Sequence, residues 1–252
     1  MIDLMRQELC VIKSVQEIAL DTYEMKIVNK HISEHAKPGQ FLHISVDGFT
    51  LRRPISIANI DQVHEEITLV FKVFGQGTKR LASYQQEMTI NVLGPNGNGF
   101  PINDRKKVLL IGGGVGVPPI HFLGKKLAEQ QVELTTILGF QQKESVFYEA
   151  EFNQFSETII VTNDGSYGEK GFVTDVLTQI DEFDHYYACG PVPMLMAVQK
   201  QLSDKQGFLS LEERMACGVG ACFACVIPTK DRSGYRKICQ DGPVFQAEEI
   251  IL

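Results

Sequence analysis

Four of the six cysteines, Cys217, Cys222, Cys225 and Cys239, lie near the C-terminal end with the spacing C-x4-C-x2-C-x13-C. Thiolate is a soft ligand, and four of them suit zinc or an iron–sulfur cluster. Structural zinc sites pair their ligands as two short knuckles. A C-x4-C-x2-C loop with one remote cysteine is instead the plant-type [2Fe–2S] arrangement, although the final gap of 13 residues is short for it. Gly218 and Gly220 let the backbone wrap closely and turn N–H groups towards sulfur. Apolar Val219, Ala221, Phe223 and Ala224 would shield a cluster from water. The spacing therefore predicts Cys217, Cys222, Cys225 and Cys239 as ligands of a [2Fe–2S] cluster, with zinc, and then spare thiols or a disulfide, as the alternatives.

Three further stretches could handle a nucleotide. Gly112-Gly113-Gly114-Val115-Gly116-Val117-Pro118-Pro119 follows the apolar run 108–111 and precedes a helical pattern to about residue 130. Strand, glycine loop and helix in that order form a phosphate cradle, and proline is tolerated in the first helical turn. The loop lacks the Gly-Lys-Ser/Thr of a P-loop, which disfavours ATP hydrolysis. Arg52-Arg53-Pro54-Ile55-Ser56 sets a guanidinium, which makes forked bonds to phosphate, beside a rigid proline and a hydroxyl. Gly75-Gln76-Gly77-Thr78 opens a helix, where N–H groups favour an anion. The histidines 31, 35, 43, 64, 121 and 185 show no ligand spacing.

The elements that must position these residues follow from pattern. Residues 8–15, 23–28, 41–46, 55–60, 66–73 and 89–93 read as short strands, with one helix over 78–84. Such strands separated by frequent turns predict a closed β-barrel over residues 1–103. From residue 104 to 208 strands at 108–111, 133–138, 158–162 and 185–188 alternate with helices at 145–152, 172–180 and 192–202. That alternation predicts a doubly wound parallel sheet, whose ligands bind beyond the strands' carboxyl ends. Loops there carry Asp164 and Cys189-Gly190-Pro191. Residues 209–252 read as a small cluster-bearing appendage, too short to fold alone without help from ligation.

With 252 residues, 44% hydrophobic content and a net charge of −7, the chain has the composition of an ordinary globular protein. The acidic balance disfavours nucleic acid or an anionic membrane surface as partner. No apolar run approaches the length of a membrane span, and the first residues show no signal peptide. Clustered thiols point to a reducing, cytoplasmic setting.

The order Arg53-Pro54-Ile55-Ser56, then Gly77-Thr78, resembles the FAD-binding barrel of the ferredoxin reductase family. By position, Arg53, Pro54, Ile55 and Ser56 would meet the FAD pyrophosphate and flavin edge. Val70, Phe71 and Lys72 would line it, and Gly77 and Thr78 would cap its phosphates. Ile55 stands where many relatives carry a tyrosine. The Gly-x-Gly-x-x-Pro loop and the Cys-Gly-Pro motif resemble that family's pyridine-nucleotide domain. This implies NAD contacts at Gly112, Gly114, Gly116, Pro119, Asp164, Cys189, Gly190 and Pro191, with Cys189 near the nicotinamide. No arginine follows the strand at 133–138, which favours NAD over NADP. With the C-terminal cysteines added, the whole chain resembles the dihydroorotate dehydrogenase B electron transfer subunits. Membership implies an FMN-containing catalytic dihydroorotate dehydrogenase subunit as partner in a heterotetramer of two plus two. It also implies electrons passing from FMN through the [2Fe–2S] cluster and FAD to NAD⁺ in pyrimidine biosynthesis. No segment is left over for an organic substrate, so no catalytic acid or base is assigned. Two rivals remain: an equivalent adaptor of a sulfide dehydrogenase, hydrogenase or ferredoxin–NADP reductase complex, and a non-catalytic redox sensor.

Overall fold

The computed structural model describes residues 5–102, 106–180 and 182–252; the expected division between residues 103 and 104 lies outside them. β1 (Arg6–Ala19), β2 (Thr22–Val28), β3 (Phe41–Ile44), β4 (Arg53–Asp61), β5 (Glu66–Lys72) and β6 (Thr89–Asn96) close into an antiparallel barrel. Its strand order is β1-β2-β5-β4-β3-β6. Ile12, Met25, Ile27, Leu42, Ile44, Ile57, Leu69 and Val92 are sealed in its interior, which is the driving force for closure. Two helices decorate the barrel rather than the one expected. α1 (Lys30–His35) was missed, although Asn29 is an N-cap signal whose side chain accepts from Ile32 N at 2.9 Å. α2 (Gln76–Ala82) begins two residues earlier than the pattern suggested, because Thr78 Oγ1 accepts from Phe74 N and Gly75 N and closes its first turn.

β7 (Lys107–Gly113), β8 (Glu133–Phe140), β9 (Glu157–Thr162), β10 (Glu169–Lys170), β11 (His185–Cys189) and β12 (Gly207–Ser210) pair in parallel. α3 (Val117–Ala128), α4 (Glu149–Phe152) and α5 (Val192–Gln201) supply crossovers. The helix expected over 145–152 shrinks to the four residues of α4. Phe147 and Tyr148 are drawn into an aromatic cluster, and Tyr148 takes a φ of 66° so that its hydroxyl reaches the buried Glu24 carboxylate at 2.7 Å. The helix expected over 172–180 is only a turn of 3₁₀ at Leu177–Gln179. Asp175 holds Phe172 N instead, at 2.7 Å, while Val173, Val176 and Leu177 are buried. Tertiary packing overrides helical spacing in both places.

β13 (Val226–Pro228) and β14 (Tyr235–Lys237) form a hairpin, followed by α6 (Ile238–Asp241) and β15 (Val244–Gln246). β15 pairs antiparallel with β12, so the large sheet runs β10-β9-β8-β7-β11-β12-β15. The expected division at 208/209 falls inside β12, and β15 ties the C-terminal region into the same sheet. Met215, Cys225, Ile227, Ile238, Cys239 and Phe245 share one core with Leu109 and Ile111 of β7. Asn98, at the barrel's exit, binds the Gly242 carbonyl through its backbone at 2.6 Å and the Asp241 carbonyl through its side chain at 2.7 Å. A second seam joins α3 to β4: His121 Nδ1 meets the Ala58 carbonyl at 3.1 Å, and Lys125 Nζ donates to Asn59 Oδ1 at 2.9 Å. Among the described residues no helix is long and apolar enough to cross a membrane.

Candidate functional site

A cleft of about 650 Å³ opens where the barrel, the sheet and the tail meet. All nine residues expected at FAD line it: Arg53, Pro54, Ile55, Ser56, Val70, Phe71, Lys72, Gly77 and Thr78. The far wall comes from Val115 in the glycine loop and from Leu211, Glu212, Glu213, Arg214 and Met215, which lead directly into the cysteine loop. β4 and β5 present alternate side chains to the cleft and to the barrel core, as period-two strands do.

The Arg52-Arg53 pair divides its work. Arg52 is spent on the barrel, donating to the His43 and Asn91 carbonyls at 3.1 and 3.2 Å and to Asn91 Oδ1 at 2.6 Å. Arg53 donates to the Leu51 carbonyl at 2.5 Å and lies 5.1 Å over the Phe49 ring, and it has no carboxylate partner among the described residues. A Cβ on Gly77 would come within 2.5 Å of its Nε, so a side chain there would displace the guanidinium from the start of α2. A charged fork held over a glycine turn, with apolar walls either side, fits a pyrophosphate-bearing flavin. Thr78 is less free than expected, since its hydroxyl also donates to the Gly75 carbonyl at 3.2 Å.

Sequence reasoning missed Phe49, Phe74 and Glu212 on this cleft. Phe74 stands exposed immediately before Gly75, a position that could have marked it. Ile55 is nearly sealed, so Phe49 and Phe74 are the aromatic groups open to a flat ring. Surrounding protein pushes the Glu212 carboxyl up to about 7, an effect damped by the solvent that reaches it through the open cleft.

The nucleotide residues gather at the topological switch point. The strand order reverses between β7 and β11, which is where an open α/β sheet leaves a crevice. Gly112, Gly114 and Gly116 run from β7 into α3, whose first turn holds Pro119. A Cβ on Gly116 would overlap the Cys189 carbonyl and the Gly190 nitrogen, so the two motifs touch backbone to backbone. Gly114, with φ +52°, faces open space. Gly190 is buried and Pro191 exposed beside it. The Cys189 thiol is fully sealed among apolar neighbours, and burial raises its pKa well above the ordinary value. It is the Cys189 backbone that meets the glycine loop. Asp164 is not brought to this junction. It lies beyond β9, exposed, accepting from Ser166 N at 3.0 Å and Ser166 Oγ at 2.6 Å, while its own N–H meets the Gln141 carbonyl. A separate cleft of about 400 Å³ at the amino ends of β11 and β12 contains none of these residues.

Cys217, Cys222, Cys225 and Cys239 are brought together, and all are free thiols. Val219 N and Cys222 N donate to Cys217 Sγ at 3.5 and 3.4 Å, and Gly220 N donates to Cys239 Sγ at 3.2 Å. Gly218 and Gly220 take φ of +69° and +76°, which makes those N–H directions possible. Burial works against ionisation of Cys217, yet these donors bring its thiol down to about 6. Burial pushes Cys239 up to about 12, with Cys225 beside it adding to the rise. Cys222 acts on the Cys217 thiol and Cys225 on the Cys239 thiol, so the four side chains lie as two neighbouring pairs. Among the described residues no group of three or more His, Cys, Asp or Glu side chains is placed to hold a single metal ion. Two thiol pairs under backbone N–H donors fit a two-centre cluster better than one tetrahedral zinc. Lys237 braces the loop, donating to the Gly220 carbonyl at 2.6 Å and standing 4.5 Å over the Phe223 ring.

Comparison with known proteins matches these regions. The oxidoreductase NAD-binding domain model matches residues 110–200, and the model for the iron–sulfur cluster binding domain of dihydroorotate dehydrogenase B matches residues 212–251. The dihydroorotate dehydrogenase B (NAD(+)) electron transfer subunit of Shouchella clausii is 49% identical over 94% of this chain and 95% of its own. That of a Geobacillus species is 48% identical over 99% of this chain and 100% of its own. Among solved structures, an NADH-dependent reduced ferredoxin-NADP oxidoreductase studied for flavin-based electron bifurcation superposes with a TM-score of 0.89. It is 31% identical, covering 97% of this chain and 90% of that one. The FAD/NAD-binding domain of a Vibrio cholerae nitric oxide dioxygenase, at 19% identity and a TM-score of 0.68, shares the fold.

Proposed function

The chain belongs to the family of dihydroorotate dehydrogenase B electron transfer subunits, and on that premise we propose how it carries electrons to NAD⁺. It is an oxidoreductase subunit with an iron–sulfur cluster binding region and an NAD-binding domain. We assign FAD to the 650 Å³ cleft, a [2Fe–2S] cluster to Cys217, Cys222, Cys225 and Cys239, and NAD to the β7/β11 crevice. When bound, the flavin exchanges a hydride with NAD and single electrons with the cluster, the chemistry needed between a partner's FMN and NAD⁺.

This chain's own residues bind, orient and shield. Arg53 neutralises the pyrophosphate while Gly77 makes room for it. Ser56 and Lys72 face the same cleft with polar groups, Pro54 and Val70 keep its floor dry, and Ile55 and Phe71 border it from the barrel core. Gly112, Gly114, Gly116 and Pro119 offer backbone to a second pyrophosphate, and Cys189, Gly190 and Pro191 form the opposite lip, while Asp164 stays apart beyond β9. The single observation that carries the assignment is the shared cleft. One cavity is lined by the barrel, by Val115 of the glycine loop and by the segment entering the cysteine loop. Three sites so joined can exchange electrons without a mobile carrier.

The remaining terminus of the route is a catalytic dihydroorotate dehydrogenase subunit that holds FMN, in a two-plus-two heterotetramer in the cytoplasm. Val219 and Phe223 stand exposed around the cysteine loop and form the proposed docking face. Co-expression with such a catalytic subunit is expected to give a stable complex that reduces NAD⁺ with dihydroorotate. It should contain iron, acid-labile sulfide and FAD. A complex that makes orotate without NADH, or one holding zinc in place of iron, overturns the proposal. Val219→Asp with Phe223→Asp is expected to abolish complex formation, and an undiminished complex would place docking elsewhere.

A further inference from the structure

His43 has no role in the route described so far, and its setting is unusual. The side chain is fully buried, yet both ring nitrogens lack a hydrogen-bond partner. Nearby, the Arg52 carbonyl influences the ring without meeting hydrogen-bond geometry. A neutral imidazole always carries one N–H, and leaving a donor unsatisfied in a dry interior is destabilising. Buried polar groups in folded proteins are therefore nearly always paired, so an orphan of this kind marks a missing acceptor.

The direction of the ring identifies that acceptor. His43 lies on the outer face of β3, directly opposite Pro54 of β4 and two residues from Phe41. Pro54 and Phe41 line the flavin cleft, but His43 does not. Its Nδ1 points at Gly218, so closely that a Cβ there would overlap the nitrogen, with Cε1 2.8 Å from the same point. Gly218 follows Cys217 in the loop whose backbone N–H groups already aim at sulfur. The ring thus stands between the cleft wall and the cysteine loop, beside a segment whose Val219, Gly220 and Cys222 N–H groups are turned towards sulfur.

We infer that His43 is a positioning residue for the iron–sulfur cluster: its ring N–H completes the set of donors to the cluster's sulfur shell and raises the cluster's reduction potential. The inference rests on the cluster assignment above. It makes no ligand of His43, since four cysteines already serve. A donor to sulfur stabilises the reduced, more negative cluster, so its loss lowers the potential. Gly218 belongs to the same device, because any side chain there would push the ring away from the loop.

The test uses the complete complex with its cofactors. EPR-monitored redox titration of His43→Phe, which keeps the ring volume without the donor, is expected to show a lower cluster midpoint. A tenfold change in the reduction equilibrium is expected, equivalent to about 59 mV for one electron. His43→Gln, which restores a donor, is expected to recover part of the shift. Should the variants not fold, the native complex decides. With ¹⁵N-labelled histidine, the reduced cluster is expected to show a weak imidazole nitrogen coupling and an exchangeable proton coupling lost in D₂O. An unchanged midpoint in a fully loaded His43→Phe complex overturns the inference, as does the absence of imidazole coupling or a coupling strong enough for direct ligation. Absence of iron from the native complex overturns the cluster assignment together with it, which separates the two failures.

Discussion

The 650 Å³ cleft and the β7/β11 crevice lie side by side but are built in opposite ways. The cleft is lined by side chains of chosen type: a guanidinium on an aromatic ring, a hydroxyl, apolar walls and a carboxylate. The crevice is shaped by their absence. Gly116 fits only because it has no Cβ, and the one distinctive side chain, Cys189, turns away into the core. Recognition in the cleft is therefore divided among replaceable contacts, whereas in the crevice it depends on two backbones touching. Substitutions should accordingly be graded in the cleft and close to all-or-none in the crevice.

The harshest test of that contrast is Gly116→Val. Its side chain would collide with the backbone of Cys189 and Gly190, which cannot swing aside as a side chain can. The expected cost is about 3 kcal/mol or more, with NADH-driven flavin reduction lost at least tenfold. Urea unfolding and stopped-flow absorbance would read both, and a tolerated valine would show that the two motifs part easily.

The seam holding the two sites together should be acid-labile. Burial, and then the charge of Lys125, hold His121 down at about 4 even though its bond to Ala58 works the other way. The unfolded chain takes up that proton near 6.5, so between these values it binds more protons than the fold does. The contribution is full above about 6.5 and is lost as the pH falls towards about 4, a total of about 3 kcal/mol. His121→Phe should be less stable at neutral pH for want of the Ala58 bond, yet lose less on acidification. Unfolding midpoints across that range that fall in parallel for the two proteins would contradict this.

Within the cleft the two arginines should separate cleanly. Arg53→Ala is expected to weaken flavin binding by about 2 kcal/mol, or roughly 10–100-fold, with little loss of stability. Arg52→Ala should do the reverse, because its three bonds hold β3, β4 and β6 together. Fluorescence titration of the flavin against each unfolding curve checks the division; equal effects would merge the two roles.

The smallest expected effect is at Glu212. An acid whose folded pKa is raised lends stability that is full below about 4.5 and is lost as the pH climbs through about 7. Because solvent reaches the group, the amplitude should stay under about 1 kcal/mol. Glu212→Gln is expected to remove that slope, and a pH profile of unfolding identical to the parent's would place the carboxyl in open water.

Local chemistry made much of the site legible before any fold was known. Cysteine spacing, glycine runs after an apolar strand, and an arginine before a proline all express constraints that act within a few residues. Hence the nine cleft residues and four cysteines could be named, each group in one place. What stayed hidden depends on partners far along the chain. The helix pattern at 145–152 was overruled by Tyr148 reaching Glu24, 124 residues away. Glu212 became part of the cleft only because the tail folds back past the barrel.

The sequence by itself determined which donor groups each segment offers to a ligand, because ligand chemistry resides in residue type and short spacing. Tertiary structure alone decided how the segments join. It placed β15 beside β12 and so anchored the cysteine loop in the nucleotide core. It gave Arg52 to the barrel and Arg53 to the cleft, and it pressed the ring of His43 against Gly218. Those outcomes are set by packing between strands distant in sequence, where burial and the need to satisfy every buried polar group act on the whole chain at once.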